Sequence, residues 1–312
     1  MKKGINYDTG FLPGDDLSRK AFDPDQVARE MRVIAGDLHC DLVRVYGRDP
    51  ARIAVAAERA AAAGLEVWFS PAPVDLGPDE TIALLADAAE RAESVRRTGA
   101  AVVLVAGCEM SAFGHGFIEG DGYRDRLRAM MTGDIAWWME LMQVMPRFNA
   151  YLARVAETVR PLFGGPLTYA SGAWEPVDWA PFDLVGVNAY RAAHNAHDYV
   201  DELRAHLKHG KPVAVTEFGT CPYAGAGDRG GSAWVVPEGA VRDEGEQVRY
   251  FHELMDVFER EGVDAAVWFT YAAYNRTGAA DLGSYGVVRM LGDTRWEPKE
   301  IFHAMAARYA RS

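Results

Sequence analysis

Cysteine is scarce in this chain. Only Cys40, Cys108 and Cys221 occur in 312 residues, and no two of them form a C-x-x-C pair. That excludes a disulfide framework and a cysteine zinc cluster. Basic blocks are missing as well: 33 Lys and Arg stand against 45 Asp and Glu, a formal charge of −12. Such a balance argues against nucleic acid as a partner and favours a neutral or cationic polar substrate. No run of about 18 apolar residues is present to span a membrane, and no apolar leader opens the chain, which goes from Met1 directly into a strand-like segment. The expectation is a reduced, cytoplasmic protein without a membrane partner. No period of about 20–50 residues repeats, so a solenoid is not indicated. No G-x-G-x-x-G follows the first strand, and Gly225 to Gly231 do not open a helix, which leaves a dinucleotide site poorly supported. His194 and His197 match a metal-ligand spacing only loosely and read better as a polar helix start, so neither metal nor organic cofactor is expected.

What the chain does have is alternation. Strand-like runs begin at Lys3, Leu42, Leu65, Ala101, Pro166, Phe182, Val213 and Val263, and helix-like segments are expected after each of them. Asp23-Pro24 supplies an acidic cap with proline in the first helical turn, and Gly64 closes the next helix. Strict β/α alternation implies a parallel sheet, and eight repeats imply closure. The fold expected is α/β, a single (β/α)8 TIM barrel over residues 1–312. A barrel takes roughly 250 residues, which leaves length for loops. The long ones are expected after strand four, Ser111 to Phe163, and after strand seven, where the glycine-rich Thr220 to Glu244 reads as a flap.

The most informative stretch is Pro212-Val-Ala-Val-Thr-Glu-Phe-Gly219. A buried β-branched strand ends there in Glu217, at the carboxyl end where barrels keep their chemistry. Glu109 occupies the same place after strand four. Strands four and seven face each other across a barrel axis, so the two carboxyl groups can meet over it. A retaining glycosidase needs such a pair roughly 5–5.5 Å apart, one as nucleophile and one as acid/base. Their proton affinities must be split. Arg44 on strand two and Tyr190 after strand six are placed to hold Glu217 by charge and hydrogen bonding, leaving Glu109 protonated.

These pieces resemble a clan A glycoside hydrolase, the large group of retaining β/α-barrel glycosidases. The matching segments are Val-Arg-Val-Tyr at 43–46, Gly-Cys-Glu at 107–109, Val-Asn-Ala-Tyr at 187–190, Val-Thr-Glu-Phe-Gly at 215–219 and Val-Trp-Phe-Thr-Tyr at 267–271. Thr-Glu-Phe-Gly is the most specific. The resemblance implies that Glu217 is the nucleophile, Glu109 the acid/base, Arg44 and Tyr190 the groups that orient the nucleophile, and Trp268 the floor of the sugar subsite. It also exposes a departure. The clan usually carries asparagine, a ligand of the sugar 2-hydroxyl, immediately before the acid/base, and here that position is Cys108.

Further substrate contacts are expected from Asn6, Tyr7 and Asp8 after strand one, from Trp174 and Trp234 on loops, and from Asn188 and Tyr271 at strand ends. Glu175 is a third mouth carboxylate and the substitute acid if Glu109 does not serve. The function expected is double displacement on a small glycoside or oligosaccharide. Two alternatives stand beside it. One is a glycosidase-like barrel turned to transglycosylation or non-sugar chemistry, for which Cys108 speaks. The other is an inactive glycan-binding or phage-defence module, against which the intact glutamate pair speaks.

Overall fold

A computed structural model describes residues 1–311. The chain runs β1 (Lys2–Asp8), α1 (Pro24–Gly36), β2 (Leu42–Gly47), α2 (Pro50–Ala62), β3 (Glu66–Pro71), α3 (Pro78–Arg97) and β4 (Val102–Cys108). It continues through α4 (Met110–Phe113), α5 (Tyr123–Thr132), α6 (Ile135–Val159), β5 (Leu167–Ala170), β6 (Val185–Asn188), α7 (Tyr199–Leu207) and β7 (Val213–Phe218). It ends with α8 (Glu244–Glu261), β8 (Ala265–Trp268), β9 (Val288–Met290), β10 (Trp296–Pro298) and α9 (Glu300–Tyr309).

The main sheet has the order β5-β4-β3-β2-β1-β8-β7-β6, with every neighbouring pair parallel. The ring closes between its end strands. Ser171 N donates to Gly186 O at 2.9 Å and Asn188 N to Ser171 O at 2.8 Å, around a parallel bridge from Ser171 to Val187. A Cβ at Gly186 would strike the Tyr169 carbonyl, so the close approach of β5 to β6 requires glycine there. The architecture is a (β/α)8 barrel.

Side chains of period two divide into two layers. Leu42, Trp68, Val103, Val105, Ala170, Ala214, Ala265 and Val267 fill the lumen. Ile5, Val43, Val45, Val67, Phe69, Val213 and Val215 point outward and are buried under the helices. Each such side chain stabilises the fold by about 1.5–3 kcal/mol. The helices start where side-chain caps and prolines place them. Asp23 accepts from the Asp25 amide and Asp49 from the Ala51 amide, each followed by a proline. Asp134 does the same for Trp137 at the head of α6.

Four expectations change. Strand five is not followed by a helix; residues 171–184 form an irregular connection to β6. Tertiary bonds satisfy its backbone instead, with Asp183 N on Leu167 O at 2.8 Å. The insertion after β4 is also shorter than the sequence suggests. Leu141, Met145, Phe148, Leu152 and Val155 of α6 are core residues, which makes α6 the ordinary crossover to β5. Only α4, α5 and their loops are extra. The buried Arg126 pins them by donating to Ala112 O at 2.7 Å and Phe113 O at 2.9 Å and by pairing with Asp75. The stretch 220–244 is no free flap. Cys221, Tyr223, Ala226 and Ala233 form a buried cluster with Tyr285, and Arg242 pairs with the buried Asp281 at 2.7 Å. Finally, β9 and β10 make an antiparallel ribbon that short apolar periodicity did not reveal. Among the described residues, no helix is long and apolar enough to cross a membrane.

Candidate active site

Three strand irregularities build the site. The β4–β5 register shifts between Val105 and Cys108, the β6–β7 register between Val187 and Asn188, and the β7–β8 register between Val215 and Phe218. Plain alternation from Val213 and Val215 would send Glu217 outward into the helix layer. The shift turns it to the mouth, while Phe218 resumes the outward row against Phe251 and Phe258. Bulges serve this re-aiming role beside active sites. Glu109, one residue past β4, has φ 45° and ψ 39°. Left-handed backbone costs a non-glycine residue about 1–3 kcal/mol and survives only where surrounding structure fixes it.

Glu217 is held on three sides. Arg44 Nη1 lies 2.6 Å from its Oε1, Tyr190 donates its hydroxyl to Oε2 at 2.9 Å, and the Cys108 thiol reaches Oε1 at 3.4 Å. Arg44 is buried and is itself oriented: Nε donates to Ser70 Oγ at 3.0 Å and Nη1 to Asn6 Oδ1 at 3.2 Å. Glu109 sits in a different field. Burial, then the charge of Glu217, pushes its carboxyl up to about 8, against the hydrogen bond from Asn188. That bond runs from Asn188 Nδ2 to Glu109 Oε1 at 2.8 Å, and the same amide nitrogen lies 3.4 Å from Cys108 Sγ. Thr216 Oγ1 donates to Asn188 Oδ1 at 2.8 Å, which sets the amide's orientation. Asn188 and Cys108 thus join the two carboxyl groups. Burial and Glu217 raise the Cys108 thiol well above its ordinary range, so it is held as S–H.

The other expected contacts divide. Trp174 is half-buried and donates Nε1 to Ser111 Oγ at 3.0 Å, beside Glu109, and Trp234 is 41 % exposed on the loop after β7. Both remain at the mouth. Asn6 faces inward but is fully buried, donating to Thr216 O at 3.0 Å and Trp268 O at 3.2 Å. It supports Arg44 instead of meeting a ligand. Asp8 is buried and accepts from the Gly10 amide at 2.6 Å; burial pushes it up to about 6. Tyr7 points the other way, to Glu30 and Arg19 behind the barrel wall. Trp268 and Tyr271 are corrections of the same kind. Trp268 packs edge-on to Phe218 and Phe251, Tyr271 against Tyr7 and Trp296, and both are fully buried. Neither has a face to offer a sugar.

The aromatic surface comes mostly from residues the motif did not single out, with Tyr190 at one end. Phe11, Tyr46, Phe269, Tyr285 and Tyr190 form a continuous arc, with successive ring centroids 5.2, 5.6, 5.7 and 6.0 Å apart. Phe269 is the half-buried centre of that arc and occupies the place expected of Trp268. Counting by twos from the lumen residues Ala265 and Val267 identifies it. A cavity of about 570 Å³ lies at the opposite end of the barrel, lined by Lys2, Glu66, Trp68 and Asp264. Its charges are already engaged: Lys2 with Glu66, and Asp264 with the Val213 amide.

With this geometry in place, comparison with solved structures is informative. One GH113 β-1,4-mannanase superposes with a TM-score of 0.69 at 15 % identity, covering 100 % of this chain and 99 % of that one. The GH113 β-mannanase of Alicyclobacillus acidocaldarius gives 0.65 at 19 %, covering 99 % and 96 %. A β-glucuronidase of an uncultured Clostridium species gives 0.62 at 16 %, covering all of this chain and 50 % of that one. The likeness is one of fold. No family model matches the sequence, and no curated protein matches it in sequence.

Proposed function

We propose that this chain is a retaining O-glycoside hydrolase of the clan A type, a single catalytic domain acting in the cytoplasm on a small glycoside or oligosaccharide. The observation that carries the reading is the opposite setting of two carboxyl groups at the ends of β4 and β7. Glu217 is paired with Arg44 and hydrogen-bonded by Tyr190, while Glu109 is raised to about 8. An anionic nucleophile and a protonated acid are the two partners that double displacement requires. The barrel neighbours that are mannanases and glucuronidases support it at the level of reaction class.

In the first step Glu217 attacks the anomeric carbon as Glu109 gives its proton to the departing oxygen. In the second, Glu109, now a base, takes a proton from water, whose oxygen displaces Glu217. Arg44 and Tyr190 orient the nucleophile. Phe269, Trp174 and Trp234 offer apolar faces to sugar C–H groups. No step calls for a metal or organic cofactor.

The test is intact-protein mass spectrometry after incubation with activated 2-deoxy-2-fluoro glycosides. Fluorine slows both steps, and a good leaving group lets the glycosyl-enzyme accumulate. A sugar adduct mapped to Glu217 is the expected result and identifies the sugar. An adduct on another residue would keep the reaction class and discard this site. No adduct from any donor, with Glu217→Ala indistinguishable from wild type in every assay, would turn the reading to a binding module.

A further inference from the structure

Glu175 has no part in the double displacement, yet it is the most elaborately held carboxylate at the mouth. It lies in the helix-free connection after β5, is buried, and accepts three donors. The Ser111 amide donates to Oε1 at 3.1 Å, the Gly172 amide to Oε2 at 2.9 Å, and the Tyr169 hydroxyl to Oε2 at 2.9 Å. Tyr169 in turn accepts from the Met110 amide at 2.7 Å. Met110 and Ser111 are the two residues after Glu109. The backbone on the far side of the left-handed residue therefore ends on Glu175 and Tyr169, while on the near side Glu109 N donates to Ala170 O at 2.9 Å. Strain at Glu109 persists because both flanks are tied to β5 and its loop.

We propose that Glu175 is a positioning residue for Glu109: it fixes the turn that aims the acid/base carboxyl and adds a negative charge to the field around it. The inference rests on the glycosidase reading of the pair. The charged and titratable groups facing Glu109 are Glu217 from β7, Arg44 from β2, Tyr190 after β6, Cys108 of β4 and Glu175, with neutral Asn188 between them. Those facing Glu175 are Tyr169 and Glu109, with the Ser111 hydroxyl. Burial pushes Glu175 up to about 7, against the Ser111 hydroxyl, the Gly172 and Ser111 amides and the Tyr169 hydroxyl. The charge of an ionised Glu175 opposes loss of the Glu109 proton.

Two variants separate positioning from charge. Glu175→Gln removes the charge and sets an NH2 group against an amide donor. Its kcat is expected to fall on the order of ten- to a hundredfold, as small misplacements of a catalytic group do. KM should hold, and the alkaline limb of the kcat/KM profile should move to lower pH. Tyr169→Phe cuts the link to Met110 but keeps the carboxylate, so kcat should fall with the limb moved less. Titration of 13C-labelled glutamate carboxyls by NMR needs no turnover. Glu109 should lose its proton at lower pH in Glu175→Gln than in wild type. A folded Glu175→Gln with unchanged kcat and unchanged Glu109 titration would overturn the inference. If that variant does not fold, unchanged kcat in Tyr169→Phe would do the same. A wild-type protein that hydrolyses no donor would sink the glycosidase reading, and the titration would still decide whether Glu175 acts on Glu109.

Discussion

The Sγ of Cys108 lies 3.4 Å from Oε1 of Glu217, the same oxygen that Arg44 approaches to 2.6 Å. In the resembling glycosidases an asparagine amide at this place addresses the sugar. Here the thiol addresses Glu217, and the amide beside it, Asn188, comes from β6. Burial and the charge of Glu217 both disfavour the thiolate, and Arg44 only partly offsets them. Cys108 is therefore expected to react with iodoacetamide far more slowly at pH 7.5 than a free thiol. Glu217→Gln removes one of the causes that disfavour the thiolate and should speed the labelling. Labelling rates by peptide mass spectrometry check both. Rapid alkylation of wild type, or a slower rate in Glu217→Gln, would contradict this electrostatic picture.

Arg44 and Glu217 form a largely buried ion pair, with side-chain exposures of 2 % and 13 %. Removing one partner from such a pair strands the other, which typically costs about 3–5 kcal/mol. The exposed edge of Glu217 reduces that figure. Arg44→Met should lower Tm and abolish turnover. The double variant Arg44→Met with Glu217→Gln should recover much of the Tm and none of the turnover. A double-mutant cycle from chemical denaturation measures the coupling, and additive losses would show that the pair is not energetically joined.

The raised value of Glu109 makes stability depend on pH. A carboxyl group that titrates at about 8 in the fold and near its ordinary 4.5 in the unfolded chain binds its proton more tightly when folded. Its contribution is fully present below the unfolded value and is lost as pH rises through the folded one. Wild type is thus expected to lose stability relative to Glu109→Gln progressively from about pH 5 to about pH 8. Melting curves of the two proteins across that window test it, and a constant Tm difference would refute the raised value. Under the proposed mechanism the same titration is expected to set the alkaline limb of activity, since an acid must carry its proton.

The fold and the placement of Glu109 and Glu217 at the ends of β4 and β7 were legible because they rest on robust signals. Buried β-branched strands ending in charged residues stand out in sequence, and the count of eight survives errors of two or three residues at each boundary. The helix expected after β5 was not there because tertiary hydrogen bonds replaced local periodicity in residues 171–184. The assignment of side chains to faces failed for a more specific reason. Tyr7 and Trp268 were expected at the mouth from proximity to a strand end. Period-two geometry puts both in the outer layer, with Asn6 and Phe269 facing in. Glu217 escapes the same rule only through a register shift that a single sequence does not announce.

Adjacent residues on opposite faces give the sharpest test of that division. Trp268 is fully buried between Phe218 and Phe251 and donates Nε1 to Tyr285 O at 3.1 Å. Its replacement by alanine leaves a cavity and should cost about 3–5 kcal/mol of stability; the Tyr285 carbonyl keeps Thr270 N at 3.3 Å and Gln247 Nε2 at 3.4 Å as donors. Phe269 is half-buried between Tyr46 and Tyr285. Phe269→Ala should change Tm little and raise KM about two- to tenfold, the range of a lost aromatic contact. It should leave kcat closer to wild type, because the ring has no group that gives or takes a proton. Thermal denaturation and steady-state kinetics on both variants read this directly. If Trp268→Ala raised KM with Tm intact, the sugar floor would belong to Trp268 after all, and β8 would have to be turned by one residue from the register in which Val267 faces the lumen.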